Sequence, residues 1–223
     1  MAKIENLKTC SSGKVEIITG ETIIISPGHG LDRPNETNPG CIMTITQNGK
    51  KVKLKEVNII YDFCKLLYAD LDAVGLSYIN LKQRIAETTN DFTIQGRNNV
   101  ANQIDEEVDA SLQLCVHADA NTKGYTGITL FYIDGKERSK KIADYFSQRL
   151  NASNLSTRIK PDTYTNPGSL GELRNTTAPA LLIEIGTMDD EEGRKIMYER
   201  EKILSKKIAD ILKSFNKDRP NWN

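Results

Sequence analysis

Apolar residues along this chain follow two alternating periods. Thr22-Ile23-Ile24-Ile25, the run 111–116 and Ala180-Leu181-Leu182-Ile183-Glu184-Ile185 are nearly continuous apolar stretches of strand length, the last of the kind a central parallel strand needs. From Glu56 the period turns helical: Val57, Ile60, Tyr61, Cys64, Leu67, Tyr68, Leu71 and Val74 form one stripe, and Gly75 stops it. A second helix is predicted over about 138–150, with Ile142, Ala143, Phe146 and Leu150 on one face, and a weaker helical period runs from Ile94 to Ile104. Asp189-Asp190 predicts the cap of a long last helix that turns Ile196, Ile203, Leu204, Ile208, Ile211, Leu212 and Phe215 to the core.

Shorter signals fill the gaps. Val15 and Ile17 alternate with Lys14 and Glu16, which predicts a half-exposed strand over 14–19 pairing with 22–26 across Gly20-Glu21. Asn48-Gly49 between the strand-like runs 42–46 and 52–54 is a hairpin signal. Leu76 to Ile79 and Gly127 to Ile133 read as strands, whereas 31–39 and 151–170, each with two prolines, read as loops. Alternation of strand and helix with no internal repeat predicts an α/β architecture whose sheet is at least partly parallel. The chain divides into a leader and edge strand at 1–20, one domain over 21–216 and a polar tail at 217–223.

Bulk composition narrows the functional classes. Lys plus Arg number 30 and Asp plus Glu number 30, so the formal charge is zero, and no basic tract suggests long-range attraction to nucleic acid or an anionic membrane. The apolar runs fall far short of the ~20 residues that span a bilayer, so no membrane insertion is expected. Met1 to Gly20 lacks the apolar core of a secretory signal, which predicts synthesis in the cytoplasm and a separate route of release. Cys10, Cys41, Cys64 and Cys115 are scattered with no C-x-x-C pair, and reduced thiols are expected. Nothing in the sequence asks for an oligomer, and a monomer is the expectation.

Four residues break the local pattern or open an element. His29 sits between Gly28 and Gly30 directly after an apolar strand, and the only other histidine, His117, follows another. In a parallel sheet both imidazoles emerge at one edge, where open α/β sheets bind ligands. Glu184 interrupts an apolar strand; an unpaired carboxylate there costs several kcal/mol, so it is either functional or held by a structural ion pair, for instance with Arg174. Glu56 opens the amphipathic helix, a place the helix dipole favours for an acid whatever its function. Two imidazoles and a carboxylate are a ligand set for catalytic zinc, and a further carboxylate can shuttle a proton from water to a leaving amine. Cys115 shares a strand face with His117, but Leu114 and Val116 around it favour a buried inert thiol over a nucleophile.

The order of these motifs is identifiable. Ser26-Pro27-Gly28-His29-Gly30, Leu54-Lys55-Glu56 opening a helix, Arg97 before Val100-Ala101-Asn102, Val116-His117-Ala118-Asp119-Ala120 and Pro179-Ala180-Leu181-Leu182-Ile183-Glu184-Ile185-Gly186 follow one another from about 22 to 215. In this the chain resembles the zinc-dependent N-acetylmuramoyl-L-alanine amidases of the Amidase_3 family. The resemblance implies zinc bound by His29, Glu56 and His117, and Glu184 as catalytic carboxylate. It implies a mixed, largely parallel sheet with helices on both faces. It further implies hydrolysis of the amide bond between the glycan strand and stem peptide of peptidoglycan. A peptidase cutting within the stem peptide and a non-catalytic wall-binding module of the same fold are the competing functions. The missing export signal points to a phage lysin or an effector delivered by secretion machinery. The chain departs from the family pattern at Leu31, Val57, Asp119 and Thr187. The segment 31–55 is a candidate lid, and Glu36 within it competes with Glu56 as a ligand.

Overall fold

The computed structural model describes residues 20–33, 36–47, 49–120, 124–165 and 169–218, without the side chains of 31–37 and Gln47. The strand expected at 14–19, Cys10, the side chain of Glu36 and the tail beyond Asp218 lie outside the described residues. In chain order the elements are strand β1 (Ile23–Pro27), an antiparallel pair β2 (Gly30–Arg33) and β3 (Glu36–Asn38), the hairpin β4 (Ile42–Gln47) and β5 (Lys50–Lys55), and helix α1 (Glu56–Val74). Then come β6 (Tyr78–Asn80), α2 (Leu81–Thr88), α3 (Ile94–Val108), β7 (Leu112–Asp119), β8 (Ile128–Tyr132) and α4 (Glu137–Asn151). The chain continues through β9 (Thr157–Pro161), a 3-10 turn at Asp162–Tyr164, α5 (Gly171–Arg174), β10 (Ala180–Thr187), α6 (Glu191–Tyr198) and α7 (Glu201–Asp218).

Six strands form the central sheet in the order β6-β1-β7-β10-β8-β9. β1 runs parallel to β6 and β7, β7 parallel to β10, and β8 antiparallel to β10 but parallel to β9. The sheet is therefore mixed and mostly parallel, and helices cover both faces. Side chains alternate across a strand. Ile23, Ile25, Leu112, Leu114, Val116, Leu181 and Ile183 face one layer with the apolar sides of α1, α4, α6 and α7. Ile24 faces α2 and α3, and Cys115, Ala180 and Leu182 pack with Leu173 of α5. Counting on by two from Cys115 and Leu182 puts His117 and Glu184 on the face that carries α5.

The apolar stripe of α1 lies about one position round from the sequence expectation. Glu56, Ile59, Ile60, Phe63, Cys64, Leu67 and Leu71 are buried, whereas Tyr61 is 61% exposed. Val57, Tyr61 and Tyr68 sit at the margin of that face, with Tyr68 partly buried against the core. Gly75 ends the helix in the left-handed conformation expected of a C-terminal glycine, φ 68°. The long last helix is two helices. Asp190 does cap the first, its side chain accepting from Gly193 N, but α6 ends at Tyr198 and α7 restarts at Glu201, leaving Ile203 57% exposed. A methyl at Gly193 would strike Thr187, so α6 lies close against the end of β10. The expected loops hold short strands: most of β2 and all of β3 within 31–39, and β9 within 151–170. The hairpin at 42–55 is present, with Gly49 at φ +74° in its turn. No described helix is long and apolar enough to cross a membrane.

Candidate metal and catalytic centre

Parallel pairing aligns the ends of the strands. Pro27 of β1 is in register with Val116 of β7, and Glu184 of β10 with His117. His29, two residues past the end of β1 in register, and His117, near the end of β7, therefore share the C-terminal edge of the sheet, their ring centroids 5.0 Å apart. Glycines make this approach possible. A methyl at Gly28 would run into the His117 ring, and one at Gly40 into Glu56 Oε2 and the His29 ring.

Glu56 reaches this edge because its helix begins there. Its backbone N–H donates to Cys41 O at 2.9 Å and that of Val57 to Pro39 O at 3.1 Å, so the chain before the hairpin supplies acceptors for the open end of α1. The carboxylate is held at both oxygens: Oε2 accepts from Cys41 N at 2.9 Å and Oε1 from Ala118 N at 3.2 Å. Glu56 Oε1 is also 3.0 Å from His29 Nε2 and 3.3 Å from His117 Nδ1. Burial alone would raise the pKa of this acid, yet the two histidines bring it well below the ordinary carboxylate range.

Each histidine meets an acceptor at its other nitrogen. His29 Nδ1 lies 3.3 Å from Asn38 Oδ1, an oxygen that also accepts from Gly40 N at 3.0 Å. His117 Nε2 lies 3.1 Å from Glu172 Oε2. The outer nitrogens thus donate, and the inner ones turn toward Glu56. Burial opposes charge on His117, but Glu172 and Glu56 outweigh it and raise its pKa to about 10. His29, Glu56 and His117 offer three ligand atoms, one from each residue, all within 4.8 Å of one another. Imidazole nitrogens and a carboxylate oxygen, with the imidazoles oriented from behind, are a donor set that fits a zinc ion.

Glu184 stands beside this trio on the same face of the sheet. Its Oε2 is enclosed and has no hydrogen-bond partner among the described residues. Burial pushes its pKa well above the ordinary value, with His117 opposing that push. The ion pair with Arg174 considered from sequence is not formed. Arg174 instead grips Asp162, its Nη2 donating to Oδ1 at 2.8 Å and its Nε to Oδ2. His29, His117, Glu172 and Glu184 line one cavity of about 320 Å³, with Phe92, Ile94, Leu170 and Leu182 forming apolar walls. Cys115 is fully buried and its thiol pKa is pushed upward by that burial, so it is not an activated nucleophile.

One charged residue of the site, Glu172, escapes sequence reasoning, and a second, Arg97, enters it only as part of a motif with no role at the site. Glu172, 7% exposed, pairs with His117 and with Arg97, which is 4% exposed and donates from Nη2 to the carbonyls of Pro27 at 3.1 Å and His29 at 2.8 Å. Burial would raise the Glu172 pKa, but His117 and Arg97 hold it at about 2. Arg97 belongs to a motif already noted, whereas Glu172 sits on a four-residue helix with no periodic signal to announce it.

Known proteins share this fold and part of this sequence. The chain is 29% identical over 170 residues to the N-acetylmuramoyl-L-alanine amidase LytC of Bacillus subtilis (strain 168), an alignment covering 75% of this chain and 29% of that protein. It thus spans less than a third of that relative's length. The fold is similar to that of Cwp6 from Clostridium difficile (TM-score 0.65, 21% identity, 87% of this chain and 29% of that one). It is also similar to the catalytic domain of the amidase CwlV from Bacillus (Paenibacillus) polymyxa (TM-score 0.63, 18% identity, 87% and 97%). Residues 23–214 match the model of the Amidase_3 family, described as N-acetylmuramoyl-L-alanine amidase, and the chain belongs to that family.

Proposed function

We propose that the chain hydrolyses the amide bond between N-acetylmuramic acid and L-alanine in peptidoglycan, with zinc held by His29, Glu56 and His117. One observation carries this reading: two oriented imidazoles and a carboxylate converge at the C-terminal sheet edge, next to an enclosed carboxylate whose Oε2 has no partner among the described residues. When bound, the ion supplies Lewis-acid polarisation of the scissile carbonyl and of the attacking water. Glu184 takes the proton from that water as it attacks and passes it to the alanine nitrogen as the C–N bond breaks. Its raised pKa suits the exchange, because a base that must later act as an acid works best near the operating pH. Phe92, Ile94, Leu170 and Leu182 set apolar walls beside these charged groups. The catalytic unit is the domain over 21–216, acting at the cell wall on glycan strand and stem peptide together.

Digestion of purified sacculi, with and without chelator, tests the reading. The expected products are intact lactyl-muramic acid and new alanine amino termini, both abolished by chelator. New amino termini on other stem residues would make the chain a peptidase, and binding without products a wall-binding module.

A further inference from the structure

The geometry points to Arg97 and Glu172 as a positioning pair that sets both histidines of the centre. This inference rests on the zinc reading above and adds two residues to it. Glu172 Oε2 accepts from His117 Nε2 at 3.1 Å, which fixes the ring's tautomer and turns Nδ1 toward Glu56, 3.3 Å away. The other oxygen, Oε1, is held by Arg97 Nη1. The remaining arm of the guanidinium bonds the carbonyls of Pro27 and His29.

One planar fork therefore ties the carboxylate behind His117 to the backbone that carries His29. That backbone needs holding: His29 is a non-glycine residue at φ 57°, a strained conformation that persists only where its surroundings impose it. A lysine has no planar fork with which to make these contacts together. Buried ion pairs of this kind add little net stability, because desolvation offsets the attraction. What this one supplies is direction: an oriented imidazole at each end, and an anion behind His117 that strengthens its inner nitrogen, Nδ1, as a ligand.

Zinc affinity, measured by competition with a chromophoric chelator below the unfolding temperature of each metal-free protein, tests the pair. Glu172→Gln keeps an acceptor for the Nε2 proton but loses the charge. The double variant Arg97→Met/Glu172→Leu removes both partners without stranding a buried charge, so it remains informative if a single change unfolds the chain. The expected order is wild type tightest, Glu172→Gln weaker and the double variant weakest, about 10- to 100-fold below wild type. The circular dichroism of the metal-free proteins should be unchanged. Equal affinity in all three would overturn the pair and leave the zinc reading standing. If His117→Ala bound zinc as tightly as wild type, both would fall.

Discussion

Glu184 shows what burial does to a single side chain. Water around a carboxylate keeps it ionised; with its Oε2 enclosed and unpartnered among the described residues, the protonated form gains. The group must be ionised to act as a base, so activity declines as pH falls through its raised pKa. The acid limb of kcat/KM should therefore lie above the ~4.3 of an ordinary glutamate. Glu184→Gln is expected to lower turnover by about 10²- to 10⁴-fold, as loss of a positioned proton carrier does, while leaving zinc content unchanged. Gly28→Ala probes the opposite feature, a place where any side chain is too much. Its methyl would displace the His117 ring, and since ~1 Å of misplacement can cost ~10²-fold in rate, activity should drop by that order with the fold retained. His29, His117 and Glu184 were legible because each breaks an apolar run or ends one. Glu172 was not, since its meaning comes from Arg97, 75 residues earlier, and no local period records that contact.

At the scale of elements, the short helix α5 depends on an anchor outside itself. Arg174 at its end grips Asp162, which is fully buried and also accepts from Asp134 N at 2.9 Å. Burial would raise the Asp162 pKa, but Arg174 and the backbone donor lower it below the ordinary aspartate value. A carboxylate depressed in the folded state stabilises the fold above its unfolded pKa, ~3.9, and that contribution fades as pH drops through the folded value. Asp162→Asn should therefore lower the unfolding free energy at neutral pH by about 1–3 kcal/mol, the cost of a broken buried bond to a charged partner. The gap from wild type should close in denaturant titrations below about pH 4. Helix α1 offers the contrasting case: Leu67 is fully buried between sheet and α7, and Leu67→Ala should cost roughly 2–5 kcal/mol. The elements with strong periods, α1, β7 and β10, were readable from the chain. The break between α6 and α7 was not, because no glycine or proline lies between Tyr198 and Glu201 to announce it.

For the whole molecule, strand order decides what the chain can do. With β1, β7 and β10 adjacent and parallel, three segments far apart in sequence deliver His29, His117 and Glu184 to a single edge. Glu56 joins them because α1 starts there. Alternating strand and helix signals implied the parallel sheet, and the paired histidines implied the edge. The strand at β8 was readable but its antiparallel direction was not, and β9 lay hidden in an expected loop, since neither direction nor pairing partner is encoded in a short apolar run. The most direct test counts zinc per chain by elemental analysis in wild type, His29→Ala and His117→Ala, with alanine termini released from sacculi measured on the same preparations. About one zinc in wild type, with both metal and release lost in the two variants, is the predicted result. Variants that keep their zinc and still release alanine termini would contradict it.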